Sequence, residues 1–438
     1  MNYFSLNHKA PKVKFSEAVV KGLAPDKGLY FPESITPLAK EFIENIDNYS
    51  KEEIAFQAIK QFVGDEISET DLRRIVAETI NFDFPLVAVE PNVYSLELFH
   101  GPTLAFKDVG ARFMARCLGA FSKFEEKKVT VLVATSGDTG GAVADGFLGV
   151  PGVEVVILYP SGKVSDIQEK QLTTLGKNIK ALEVNGTFDD CQRMVKTAFL
   201  DEDLNKALNL TSANSINVAR WLPQMFYYFF AYQQLKDKTK KLVVSVPSGN
   251  FGNICAGMMA KKLGLPIDLF VASTNANKVV TEYLNTGDYL PKPSVQTISN
   301  AMDVGEPSNF IRIEELHDKS FNVLKSSLLS FSYTDDETKA VMRDVKKQTG
   351  YVLDPHGAVG YLGLKEALIQ SDNAQGIFLE TAHPCKFIDV VEDTLGEKVT
   401  IPSELESLLS KEKVSVLLEN NYNQLKELLL KSVDIQLV

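Results

Sequence analysis

Lys107 is the residue of this 438-residue chain that most invites a chemical reading, because of where it stands. Its segment, Leu98-Phe-His-Gly-Pro-Thr-Leu-Ala-Phe-Lys-Asp108, is apolar and small-residue rather than a run of charge. A lysine there can be partly desolvated, which lowers its pKa toward that of a usable nucleophile or base. The competing reading is an ordinary surface lysine. Ser245-Val-Pro-Ser-Gly-Asn-Phe-Gly-Asn253 lies between an apolar run and a helical pattern. Its glycines permit tight turning and its amides lie at a helix start, which cradles a phosphate. Glycine used for turn geometry alone explains it equally well. Ala134-Thr-Ser-Gly-Asp-Thr-Gly-Gly141 has the same context, and its hydroxyls and amides suit a carboxylate or a phosphate. Ser, Asp and Thr also cap helices, so a capping cluster is the alternative. In Glu380-Thr-Ala-His-Pro-Cys385, a hydroxyl and an imidazole follow an apolar run, although His383 is also read as a structural histidine. The remaining histidines (His8, His100, His317, His356) have no metal-ligand spacing, and no metal is expected. HExxH, Walker, GxGxxG and GxSxG patterns are absent.

These segments need elements to hold them. Apolar runs at Val129–Ala134, Val153–Tyr159, Leu242–Val246, Ile267–Ala272 and Ile377–Glu380 read as strands. Helical patterns follow the Gly-rich turns, one from Gly140 to Phe147 and one through Met258 and Met259. Strands that are nearly continuous apolar runs, alternating with helices, indicate parallel sheet covered on both faces. In such sheets ligands bind beyond the carboxyl ends of strands, where three of the polar segments fall. The first ninety or so residues read as mostly helical after a loop-rich start, with Ile54, Ile59 and Phe62 at helical spacing. The tail from Pro402 reads as two amphipathic helices packed on the outside.

Length suggests two or three domains, and 45% apolar with 24% charged residues is ordinary for a soluble globular chain. A net charge of −11 argues against nucleic-acid or anionic-membrane binding, and it obliges any anionic substrate to find concentrated Lys and Arg. The four cysteines (Cys117, Cys191, Cys255, Cys385) are scattered, which suits a reducing compartment. No secretory signal or membrane-length apolar run is visible, so a cytoplasmic location is expected.

Taken together, the segments resemble the threonine synthase family, in the branch with an extra N-terminal domain. The similarity rests on Gly28-Leu-Tyr-Phe-Pro32, His100–Asp108, Thr135-Ser-Gly-Asp-Thr-Gly140 and Ser212-Ala-Asn-Ser-Ile-Asn217 with Arg220. It continues through Pro247–Asn253, Ser299-Asn-Ala-Met-Asp303 and Thr381-Ala-His-Pro384. The resemblance implies an α/β fold of the tryptophan-synthase-β-like class: two parallel-sheet α/β domains with pyridoxal 5′-phosphate (PLP) between them, plus a mostly helical N-terminal domain. The expected divisions are an N-terminal domain at 1–92, a first α/β region with the PLP lysine at 93–235, and a large PLP-binding domain with C-terminal helices at 236–438.

By the same resemblance, Lys107 carries the cofactor covalently and serves as general base. Gly249, Asn250, Phe251, Gly252 and Asn253 cradle the cofactor phosphate, and Thr381 faces the pyridine nitrogen. Asp138 stands where related enzymes place an asparagine against the ring oxygen. Ser215, Asn217 and Arg220 match a pattern that binds the substrate's phosphate, with Lys163 a further candidate. Ser136 and Thr139 are the candidates for the substrate carboxylate. The implied reaction converts O-phosphohomoserine and water to threonine and phosphate, in a monomer or small homo-oligomer. The alternatives are a PLP-dependent dehydratase or phospholyase, or a non-catalytic binding relative; intact Lys107 and intact glycine loops oppose the last.

Overall fold

Buried aromatic residues build the first element pair. In the computed structural model, which describes residues 1–121, 128–135 and 137–434, Tyr3, Phe15 and Tyr30 are fully enclosed. They close a small antiparallel sheet of β1 (Asn2–Ser5), β2 (Val13–Lys14) and β3 (Tyr30–Pro32), in the order β2-β1-β3. This corrects the expectation of a loop-rich start: strands of two to four residues are too short to show a period. Helices Lys51–Val63 and Glu69–Thr79 follow, each opened by a serine cap. Ile54, Ile59 and Phe62 are fully buried, as their spacing predicts.

The chain then enters two larger sheets. The first strands are β4 (Leu86–Glu90), β5 (Val93–Glu97), β6 (Val129–Ala134), β7 (Val153–Pro160), β8 (Ile179–Asn185) and β9 (Asn209–Thr211). After them come β10 (Lys241–Pro247), β11 (Leu269–Thr274), β12 (Leu328–Ser332), β13 (Ala374–Glu380) and β14 (Val416–Glu419). One sheet runs β12-β11-β10-β13-β5-β4, parallel except for the β4 edge. The other, β14-β8-β7-β6-β9, is parallel throughout. Every residue of β6 is buried, which is why its sequence is apolar at every position but Thr130.

Sheet membership crosses the expected division at 235/236. β5 lies among the later strands of the six-stranded sheet, and β14 returns from the tail to extend the five-stranded one. The tail is therefore corrected too: β14 stands between helices Ser403–Leu409 and Tyr422–Asp434. Lys413 pins it, bridging Glu169 and Glu183 at 2.7 Å each. No helix among the described residues is long and apolar enough to cross a membrane.

Candidate active site

Lys107 opens helix Lys107–Phe121, and the loop before it is tied to the end of β13. Phe106 N–H donates to Thr381 O at 2.9 Å, and His383 N–H donates to Leu104 O at 3.1 Å, around an antiparallel bridge of Ala105 with Ala382. Tyr227 Oη donates to Phe106 O. Thr103 gives its N–H and hydroxyl to the two oxygens of Asp108, at 2.9 and 2.5 Å. The Lys107 ammonium has no hydrogen-bond or carboxylate partner among the described residues. Burial lowers its pKa; the nearby Asp138 carboxylate opposes this, while Lys386 and Arg220 add to it. The amine is thus biased toward its nucleophilic form. Burial also pushes the Asp108 carboxyl up to about 6, against the pull of its bonds from Thr103.

The turn after β6 is organised by Thr135, whose Oγ1 accepts from Gly137 N (3.0 Å) and Gly140 N (2.9 Å). Gly137 has φ 146° and no room for a Cβ, which would meet Gln168 at 2.5 Å. Helix Asp138–Phe147 starts there, one turn-fragment earlier than Gly140. Asp138 is the buried anion of the site: Lys386 Nζ lies 2.7 Å from its Oδ1, and Gln168 Nε2 donates to the same oxygen at 3.0 Å. Burial alone would raise its pKa, but Lys386 and then Lys107 more than reverse this and hold it well below the usual range. Thr139 is in the same first turn, partly exposed; Ser136 lies outside the described residues.

After β10 the turn is uncharged. Phe251 adopts a left-handed conformation (φ 61°) and is the N-cap of helix Gly252–Lys262. First-turn amides of a helix have no partner within it and favour an anion. Asn253 Nδ2 donates back to Pro247 O at 2.8 Å, and Asn250 Nδ2 donates to Ser215 Oγ at 3.2 Å. These two side chains shape the loop and leave anion contact to its backbone amides.

Arg220 and Asn217 part company. Arg220 is 3% exposed, yet its Nε and Nη1 have no hydrogen-bond partner among the described residues. Burial brings its pKa down to about 10. Asn217 instead caps helix Val218–Trp221, accepting from Ala219 N at 3.0 Å, and donates to Val19 O at 2.8 Å. Its side-chain groups are thus engaged within the protein, contrary to the expectation that they face substrate phosphate. Lys163 sits on an exposed turn after β7, with no hydrogen bond or ion pair to the other candidates among the described residues. His383 is a structural histidine: its Nδ1 accepts from Cys385 N at 3.1 Å, and burial lowers its pKa.

Lys386 and Gln168 were not singled out from the sequence. Lys386 directly follows the Thr381–Cys385 segment and has a fully buried side chain, but a lone lysine there carries no marker of its partner 248 positions earlier. Gln168 gives no sequence signal.

An amine without a competing partner, a neutral amide loop for one phosphate and a hydroxyl at a third strand end fit a phosphorylated pyridine aldehyde. Residues 85–377 match the family described as pyridoxal-phosphate dependent enzymes, and the molecule is a PLP-dependent enzyme of that class. Residues 2–80 match the threonine synthase N terminus and 357–429 the threonine synthase C-terminal region. The chain belongs to the threonine synthase family. It is 47% identical to the Haemophilus influenzae threonine synthase across 99% of this chain and 100% of that one. Identity to the Saccharomyces cerevisiae threonine synthase is 36%, over 93% of each. The structure superposes on Escherichia coli threonine synthase with a TM-score of 0.91 at 43% identity, covering 99% of this chain and 100% of that one. For the PLP-bound threonine synthase of Brucella melitensis the TM-score is 0.93 at 36% identity, covering 98% and 99%.

Proposed function

We propose that the chain converts O-phosphohomoserine and water into threonine and inorganic phosphate. The observation that carries this reading is Arg220, a buried guanidinium whose Nε and Nη1 have no hydrogen-bond partner among the described residues, close enough to Lys107 to depress its pKa. A buried cation of this kind is costly unless an anion meets it. The Gly249–Asn253 amides are suited to the cofactor's phosphate, so Arg220 is left for a second phosphate, the substrate's.

PLP, when bound, supplies an electron sink that acidifies the C–H bonds of the amino acid it carries. Lys107 would hold it covalently, with Gly249 to Asn253 at its phosphate, Thr381 at the pyridine nitrogen and the Asp138–Lys386 pair beside it. Lys107, freed when substrate enters, takes protons from Cα and then Cβ. The phosphate leaves Cγ toward Arg220 and Ser215, where charge-assisted bonds stabilise it. A proton returns to Cγ, water oxygen then bonds to Cβ while the proton it loses goes to the released phosphate, and the last proton returns to Cα. Asn217 serves by fixing the helix that carries Arg220. Thr139 and Ser136 are assigned to the substrate carboxylate.

Supplying O-phosphohomoserine and identifying the products tests the reading: threonine and phosphate are expected, whereas 2-oxobutanoate and ammonia would assign a phospholyase. Borohydride reduction followed by peptide mapping should label Lys107. Hydrogen bonds to charged groups contribute about 1.5–3 kcal/mol, so Arg220→Ala should weaken substrate use roughly tenfold to a hundredfold or more, with PLP content near normal. Loss of PLP with substrate affinity retained would mean the two phosphate sites are reversed.

A further inference from the structure

A second buried arginine, Arg312, also has an Nε without a hydrogen-bond partner among the described residues, but unlike Arg220 both of its Nη groups are engaged. It lies in helix Phe310–Leu316, is 0% exposed, and has no carboxylate partner among the described residues. Its four hydrogen bonds all go to uncharged oxygens. Nη2 donates to Tyr30 O (3.0 Å) and Ile216 O (2.6 Å); Nη1 donates to Ser215 O (3.2 Å) and Asn309 Oδ1 (2.7 Å). The guanidinium also lies 4.3 Å from the centre of the Trp221 ring, whose other neighbour is the stacked ring of Phe31.

These contacts join three parts of the chain. Tyr30 and Phe31 belong to β3 of the N-terminal unit. Ser215, Ile216 and Trp221 belong to the segment that carries Arg220. Asn309 completes the link, because its Nδ2 donates to Ser215 Oγ at 3.3 Å and its N–H to Asn250 O at 3.3 Å. A second tie runs in parallel: Asn217 Nδ2 and Thr211 Oγ1 both donate to Val19 O.

We infer that the N-terminal unit takes part in substrate recognition by clamping the Ser212–Trp221 segment, with Arg312 as the positioning residue that fixes Ser215 and Arg220 for the substrate's phosphate. A planar fork is the side chain suited to this, since it binds carbonyls of two segments at set angles while its face packs on an indole. A carboxylate partner would neutralise the charge; left unpaired, it adds positive potential beneath a segment that has to receive a dianion. The inference rests on the function proposed above.

The full-length holoenzyme with Arg312→Lys is the first test, read by steady-state kinetics with O-phosphohomoserine and by competitive inhibition with inorganic phosphate. Lysine keeps the charge and loses the fork. KM and the phosphate inhibition constant should both rise about tenfold, kcat should change less than about threefold, and PLP absorbance should be unchanged. Should that variant fold poorly, Phe31→Leu removes the stack on Trp221 from the N-terminal side and should give the same signature at about threefold. A lowered melting temperature with KM and phosphate inhibition within twofold of wild type would overturn the inference, leaving Arg312 architectural. So would a fall in kcat or PLP content with KM unmoved. If wild-type enzyme makes no threonine from O-phosphohomoserine, the functional reading itself fails, and that control separates the two.

Discussion

The turn after β6 and the turn after β10 share a plan, strand then Gly-containing turn then helix, but they are built from opposite materials. The β6 turn, shaped by Thr135, carries full charges: Asp138 and Lys386 in a buried ion pair, with Gln168 on the same oxygen. The β10 turn has no charged side chain between Ser245 and Asn253. Its side-chain amides go to backbone and neighbouring loops, so its helix-start amides are what an anion would meet. The difference separates two tasks. Neutral amides can hold a constant anion without titrating, whereas the charged pair sets the electrostatics around Lys107, the group that would change protonation state in the proposed reaction.

Breaking the charged turn should have the largest effect. Lys386→Met leaves Asp138 buried without its counter-ion, which typically costs about 3–5 kcal/mol. In the wild type, Asp138 is held below its unfolded pKa, so its contribution is present at neutral pH and lost only in strong acid. Without Lys386, burial dominates and raises that pKa. Stability should then fall as pH rises above about 4, the range where an unfolded aspartate ionises. Thermal unfolding at pH 5 and pH 8 should show the larger loss at pH 8, and adding Asp138→Asn should recover part of it. An equal loss at both pH values would mean that the pair is not the organising feature of this turn.

A smaller effect sharpens the same side of the comparison. Lys386 Nζ also donates to Thr103 O at 2.8 Å, and Thr103 holds Asp108. Because burial raises Asp108 to about 6, the folded state keeps a proton that the unfolded state releases. Stability should therefore decline as pH rises through the window from about 4 to about 6, by on the order of 2–3 kcal/mol. Asp108→Asn should remove that decline, as measured by chemical denaturation at each pH. A wild-type curve already flat across the window would mean that Asp108 is charged throughout.

How much of this was legible follows from burial. β6, β10 and β13 were readable because both faces are covered, and residues such as Val131, Val244 and Ile377 make continuous apolar runs. β12 and β14 were not, since they are short edge strands, β12 mostly only partly covered and β14 mostly exposed. The N-terminal sheet was missed for the same reason of length. At the site, the glycines and Lys107 announced themselves by local composition. Lys386 did not, because its meaning depends on Asp138, distant in sequence. Asn217 shows the opposite failure: a motif position assigned to ligand that the fold spends on capping a helix and binding Val19 O.

The neutral turn should respond to shape where the charged one responds to pH, and Gly249 is the place to ask. A Cβ there would lie 2.7 Å from Met302 Cα and 3.0 Å from Ala301 O, both backbone atoms. That wall does not yield easily: Ala301 N–H donates to His356 Nε2 at 3.2 Å, and Met302 N–H donates to Ser299 O at 2.9 Å. Gly249→Ala therefore has to displace the loop itself, at a cost of about 1–3 kcal/mol for overpacking. Displaced amides hold a phosphate less well, so affinity for PLP should fall roughly tenfold, about 1.4 kcal/mol. Pyridoxal lacks the phosphate, so its affinity should change by less than about twofold, and the loss should be the same at pH 7 and pH 8. Titration of apoenzyme with both compounds, followed by absorbance, measures this directly. If PLP and pyridoxal weaken in parallel, Gly249 acts on the ring rather than on the phosphate, and the division between a neutral anion cradle and a charged turn does not hold.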